Sequence, residues 1–419
     1  MKRFLSSIMA IILAYVSYAQ EYADMIKANP AMAAANLMNY HFEKSVYTPA
    51  PKGYEEFYIS HYGRHGSRYD ADDSNVVVVW PIMNMADSLG LLTEAGRSFY
   101  KDFNAVMLEQ DGMIGMLTSL GAREHRGIAE RMAANFPNVF DGKGGRNEIL
   151  CQSTIVPRCI MSMTNFIHSL SANTKGLEFC FITGRKYYEQ LAYHPDERPA
   201  LDDAVIKESA LRKSVMKPYD IISYFFNDVD KAMEIIGDPF VFEKCLYLAA
   251  SVGHLSDYGV CLLKHFPEDI LIRNFEIRNP RFYAAYGLTA EKCQYKEETA
   301  RRILKDFLGR AEKAVDKGNE VAADLRFGHD TGLLPFLCHI GLEEMAARPD
   351  WEGVNSVWNT SSSMCMGSNI QMVFYRNKAG DVLVKFLFNE KETTIPALKT
   401  FSGPYYKWSA LKAYLQSLI

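Results

Sequence analysis

No two of the eight cysteines form a C-x-x-C pair, and none shares zinc-ligand spacing with a histidine, so no structural metal is expected. Positive charge is not in excess either. The 46 lysines and arginines face 50 aspartates and glutamates, a formal net charge of −4, which gives no broad field for nucleic acid and leaves any anion site to a local cluster of arginines. After the first twenty residues no stretch approaches the roughly 20 apolar residues of a membrane span. Two similar segments, GLLTEAG at 90–96 and GMLTSLG at 115–121, are too few for a solenoid and read as one threonine-capped helix start used twice. What remains is a globular chain. With 48% hydrophobic residues over 419 positions it can bury a large core, as one big domain or as a core with an insertion.

The opening stretch, MKRFLSSIMAIILAYVSYAQ, sets Lys2 and Arg3 before a short apolar run and then offers Ser17 and Ala19 as small residues for cleavage. This pattern predicts a signal peptide over 1–19 and an exported protein, periplasmic or secreted, with no membrane segment after cleavage. All eight cysteines lie in the mature part, as buried thiols or disulfides. Nothing in the pattern specifies an oligomer.

Strand-like text at 55–61 is followed by helical text at 75–89 and from 118 onward, then by the strand-like NEILCQST and another helix from Arg158. From 185 to 299 the text is glycine-poor and amphipathic at helical period. Strands return in VAADLRFG and in QMVFYRNKAGDVLVKFLFNE, where two apolar runs flank a turn. The expectation is an α/β core over 20–184 and 300–419, a doubly wound mixed sheet with helices on both faces, carrying a mostly helical cap inserted over 185–299.

At 58–70 the chain reads YISHYGRHGSRYD, a strand running into a glycine-rich turn crowded with cations. Ligands in open α/β sheets gather at the carboxyl ends of strands. Gly63 and Gly66 are expected to let the backbone turn and approach a ligand closely. Arg64 and Arg68 offer planar forks to phosphoryl oxygens, and His65 between them offers an imidazole nitrogen as nucleophile. R-H-G-x-R arises by chance only about once in several hundred chains of this length. A metal held by His61 and His65 is disfavoured, because neither helix nor strand spacing brings the two onto one point.

A second constellation, LRFGHDTGLLPF, delivers His329 and Asp330 to the start of a helix near Thr331. There an anion gains from free N–H groups, His329 can donate to it, and Asp330 can protonate a leaving alkoxide. The competing reading of Asp330 is an ordinary helix cap.

Together these motifs resemble the histidine acid phosphatases, the branch of the histidine phosphatase superfamily that includes phytases and multiple inositol polyphosphate phosphatases. GMLTSLGAREHRGIAERM is similar to that family's G-x-L-T-x-x-G helix start, and QSTIVPRCIMSM to its S-T-x-x-x-R segment. The resemblance implies that His65 is phosphorylated in turnover, that Arg64, Arg68, Arg158 and His329 hold the phosphoryl group, and that Asp330 is the proton donor. It implies no cofactor and no metal, with a phosphorylated small molecule as substrate and inositol polyphosphates as the leading class. Asp70 stands where many relatives carry proline and is expected to add negative charge near the pocket entrance. Gln152 replaces an arginine, and His329-Asp330-Thr331 replaces the His-Ala-Glu of the inositol polyphosphate group. Arg185, Lys186 and Lys213, with Lys207, Arg212 and Lys217, can meet distal phosphates or form a solvated face balanced by neighbouring acids. A general acid phosphatase of sugar phosphates, a phosphotransferase and a non-catalytic phosphate-binding protein are the alternatives.

Overall fold

The computed structural model describes residues 21–142, 145–316 and 319–419; the expected signal peptide lies outside them. Eight strands make one mixed sheet: β1 (Tyr54–Arg64), β2 (Glu148–Ser153), β3 (Glu178–Thr183), β4 (Val321–Gly328), β5 (Asn369–Asn377), β6 (Val382–Phe388), β7 (Lys391–Thr393) and β8 (Tyr406–Lys407). Their order is β3-β2-β4-β1-β5-β6-β7, with β8 also on β6. The first four of that order run parallel, and β5 onward alternate antiparallel.

β1 is central and covered on both faces, so its side chains alternate between two apolar layers. Tyr58 and Tyr62 join Phe307, Leu333 and Phe386 on one side. Ile59 joins Ile128, Phe166 and Leu325 on the other. The helices Gln294–Val315 and Asp330–Ile340 cover the first layer, and Ser119–Asn135 and Pro157–Ala172 the second, which is the two-faced mixed sheet the sequence predicts. Both repeated segments are helix starts as expected: Thr93 and Thr118 each accept, through the side chain, the N–H of a glycine three residues on.

The helical text of 185–299 does fold as helices, but its core is not its own. Phe99 and Phe103, on the helix Glu94–Gln110, stack with each other, and Phe99 also stacks on Phe225. Val76–Ser88 packs into the same cluster despite its β-prone valine run, because Val76, Val79 and Met83 fall on one buried face. The helical layer therefore draws on 76–110 as well as 216–277. Position 300 falls inside the helix Gln294–Val315, whose Ile303, Leu304 and Phe307 lie in the apolar layer of Tyr58 and Tyr62.

Strand register positions the site. β1 and β2 flank β4, with Arg64 opposite Gly328 and Ser153 opposite Phe327, so three parallel strands end together and their following loops lie side by side. At the far edge, β6 and β7 are joined through Asn389 and Glu390, both left-handed at φ 47 and 62. Glycine is usual in the second place of such a turn. Here the side chain of Glu390 is buried and takes a two-pronged Arg131 fork at 2.7 Å and the Tyr40 hydroxyl at 2.8 Å. These charge-assisted bonds offset a backbone cost of about 1–3 kcal/mol.

Candidate active site

The turn after β1 is pinned through its backbone. His65 N–H donates to Gly328 O at 3.0 Å and Arg64 N–H to Ser368 O at 2.8 Å, while His65 O accepts from Gly367. Both Ser67 donors go to the buried carboxylate of Glu124, each at 2.7 Å, which ties the turn to the helix Ser119–Asn135. The expected role of the glycines is corrected. Gly63 belongs to β1, where a Cβ would meet the His61 ring at 2.9 Å; at Gly66 a Cβ would lie 2.6 Å from Gly121 O. Gly66 thus serves close packing of the turn on a helix rather than close approach to a ligand. Gly66→Ala is expected to destabilise the protein by about 1–3 kcal/mol, since the neighbour is backbone and cannot move aside. Denaturant unfolding measures this, and an unchanged midpoint would contradict it.

The Nδ1 of His65 lies 2.9 Å from Gly66 O. A carbonyl only accepts, so Nδ1 carries the proton and Nε2 holds the free lone pair. Burial, then Arg158, Arg64 and Arg68, keep the imidazole pKa well below 6.5, so the ring is neutral. Arg64 is anchored through Nη1 to Asn36 O at 2.6 Å and Met364 O at 2.7 Å, and through Nη2 to Asp330 Oδ2 at 2.8 Å. Arg68 donates to Tyr69 O at 2.7 Å. In Arg64, Arg68 and Arg158 the buried Nε–H finds no acceptor among the described residues. Each such unmade buried bond costs about 1–3 kcal/mol.

β4 ends at Gly328, and the following helix begins at Asp330 with His329 as its cap residue and no side-chain cap bond. The helix-cap reading of Asp330 is thus replaced. Its Oδ2 accepts from Arg64 and, at 3.1 Å, from Asn36 Nδ2, while Oδ1 takes the N–H of Thr331 at 3.0 Å. Burial pushes this carboxyl up, but Arg64, the Asn36 amide and His329 together hold its pKa below the ordinary value. Gly328 and Gly332 flank the pair because a Cβ at either would come within 2.6 Å of the Tyr62 hydroxyl, which donates to Leu191 O at 2.8 Å. His329 Nε2 is 3.2 Å from the hydroxyl of Thr154, and its ring stands edge-on to His65 with centroids 5.7 Å apart. Burial and Arg158 bring the His329 pKa to about 3, so it too is neutral.

Arg64, His65, Arg68, Arg158, His329 and Asp330 share the wall of one cavity of about 300 Å³. Arg185, Lys186 and Lys213 do not: all three are exposed and off the wall. Arg212 is buried against Glu243 at 2.5 Å, and Lys207 pairs with Asp203. The extra basic charge comes instead from Arg278 and Arg281, one helical turn apart on Glu268–Tyr286 and legible in principle from the spacing of I-R-N-P-R. Asn36, Tyr188 and His194 were likewise unforeseen wall residues. Asp70 is buried and off the wall, and Gln152 is held inside the fold by Arg310 at 2.8 Å and Gln190 at 3.0 Å. His61 packs between Phe166 and Phe327, and all eight cysteines are free thiols.

No family model matches the chain, and no curated protein matches it in sequence. Solved structures do match it in fold. A multiple inositol polyphosphate phosphatase from Bifidobacterium longum, solved with inositol hexasulfate, superimposes with a TM-score of 0.73 at 18% identity, over 92% of this chain and 97% of the other. The phytase from D. castellii gives 0.65 at 13% identity over 93% and 84%. The Hafnia alvei phytase in complex with tartrate gives 0.54 at 11% over 88% and 98%. With the sheet, its covering helices and the two motif-bearing loops in place, the chain has the histidine acid phosphatase fold.

Proposed function

We propose that the protein is an exported phosphomonoesterase that works through a phosphohistidine and acts on inositol polyphosphates. The observation that carries this reading is the neutral His65, its Nδ1 engaged with Gly66 O and its Nε2 lone pair free, on one cavity wall with Arg64, Arg68 and Arg158. In the first step Nε2 attacks phosphorus, the bond to the ester oxygen breaks, and Asp330 gives its proton to the departing alkoxide. In the second, water attacks phosphorus, passes a proton to Asp330, and the P–N bond electrons return to His65. Arginine donors stabilise the charge on the nonbridging oxygens throughout, so the sequence needs no metal ion. Export rests on Lys2, Arg3 and the apolar run with Ser17 and Ala19.

Ligand-free Asp330 is ionised by Arg64. A bound phosphate dianion competes for that arginine and sets negative charge beside the carboxyl, and both raise its pKa. The rate then falls as pH rises through the raised value, whereas protonation of His65 stops the reaction only well below pH 6.5. Activity belongs on the acid side of neutral.

The polyphosphate preference is supported by Arg278 and Arg281, which add positive charge beyond the three motif arginines. Phosphate release from phytate, glucose 6-phosphate and phosphotyrosine tests it: phytate should show the highest kcat/KM. Arg278→Ala should raise the KM for phytate about tenfold and leave that for p-nitrophenyl phosphate little changed. A preference for the sugar phosphate, with both substrates equally affected by the mutation, would favour a general acid phosphatase.

A further inference from the structure

We infer that Asn36 is the positioning residue of the proton donor, holding Oδ2 of Asp330 so that Oδ1 carries and delivers the proton. The assignment rests on the phosphatase reading above and names a residue outside both motifs. Asn36 lies in the short 3-10 segment Pro30–Leu37, buried almost throughout. Ala35 before it is forced to φ 53, ψ −125, a region that costs a non-glycine residue about 1–3 kcal/mol. Such strain persists only where neighbours over-determine it. Tyr247 donates to Ala33 O and Ser361 to Met32 O at 2.6 Å, fixing the segment from two sides.

The strained backbone turns all the polar groups of Asn36 except its N–H onto the site. Its carbonyl takes Arg64 Nη1 at 2.6 Å, its Nδ2 donates to Asp330 Oδ2 at 3.1 Å, and its Oδ1 faces Arg278 Nη2 at 3.4 Å. The amide orientation follows from chemistry, since the reverse would set oxygen against carboxylate and NH₂ against guanidinium. Oδ2 of Asp330 therefore accepts two N–H donors and Oδ1 a single peptide N–H. A proton goes to the less engaged oxygen, Oδ1.

The other groups facing Asp330 set the background. Arg64 at the end of β1 and Arg68 in the turn after it favour the ionised form, and Arg158, Arg278 and Arg281 stand on the same cavity wall. His194 is half-buried and His329 buried, desolvation lowers the pKa of both imidazoles, and burial raises that of Tyr286. Removing the Asn36 amide takes one donor from the carboxylate while its backbone contact to Arg64 stays.

The test is the pH profile of kcat for Asn36→Ala and Asn36→Leu in the full chain, with phytate and p-nitrophenyl phosphate as substrates. Loss of the donor raises the pKa of Asp330, so in both variants the alkaline limb should move up by about one pH unit. The low-pH rate on phytate should drop about tenfold, and the rate on p-nitrophenyl phosphate, whose leaving group needs less help, should drop less. Leucine fills the space that alanine vacates, so a merely structural role would separate the two variants and leave both limbs in place. Unmoved limbs with equal losses on both substrates would overturn the assignment while the phosphatase reading stands. A wild-type protein that releases no phosphate from any ester would overturn both.

Discussion

His65→Ala should lower turnover at least about a thousandfold on every phosphate ester, because the residue supplies the bond-forming atom and no other group on the cavity wall can replace it. His329 is the nearest imidazole, but its Nε2 is engaged with Thr154. Cys159 lies close by, yet burial pushes its thiol up to about 11, leaving almost no thiolate near neutral pH. The fold should survive. His65 contributes one hydrogen bond to Gly66 O, worth about 1 kcal/mol, and the turn is held through main-chain bonds to Ser368, Gly328 and Gly367 that alanine keeps. Quenching the wild-type protein in alkaline denaturant during turnover, where a phosphohistidine survives, should leave phosphate covalently bound, and the variant should retain none. A variant that keeps more than about one per cent of activity would remove the covalent intermediate from the mechanism.

Asp330→Asn should divide substrates by leaving group. An inositol phosphate departs as an alkoxide that needs a proton, so its release should slow by about 10²- to 10⁴-fold. p-Nitrophenolate departs unaided, and phosphoenzyme formation should slow far less. Because the same carboxyl accepts the proton of water in the second step, the variant should release a rapid stoichiometric burst of nitrophenol and then stall with His65 phosphorylated. Equal slowing of both substrates without a burst would end the acid role. The sequence alone suggests that asparagine would be structurally silent here. The structure corrects this, since Asp330 is not a cap but the buried partner of Arg64 at 2.8 Å, and either orientation of an amide there would set its NH₂ against a donor, the guanidinium or the Thr331 N–H. Stability should therefore fall, and folded fraction must be measured beside the rates.

Much of the cavity wall was legible because its residues live in short contiguous words. R-H-G-S-R occupies a single turn and G-H-D-T-G a single strand-to-helix junction, each with the glycines that its local packing requires. The mixed sheet was legible because β1, β4 and the β5–β6 hairpin are apolar runs bounded by turns. The misses are of another kind. Asn36 reaches Asp330 across 294 positions and matters through a strained backbone that no composition announces. Arg185, Lys186 and Lys213 are as basic as Arg278 and Arg281, and only the helix packing decides which of them faces the cavity. The sharing of one apolar cluster by 76–110 and 216–277 is likewise a long-range fact, carried by Phe99 and Phe225 rather than by any boundary signal.

The left-handed turn between β6 and β7 also bears on how the protein comes apart. Glu390 holds the Tyr40 hydroxyl, the peptide N–H of Tyr40 donates to Glu124, and Glu124 grips Ser67, two residues from His65. A hairpin at the edge of a sheet would ordinarily fray early and at little cost to what lies elsewhere. Here fraying has to draw a carboxylate out of its Arg131 fork and slackens Tyr40, and with it the partner that grips the His65 turn. Edge and centre are thus expected to open together, so that inactivation on heating can begin at a hairpin off the cavity wall.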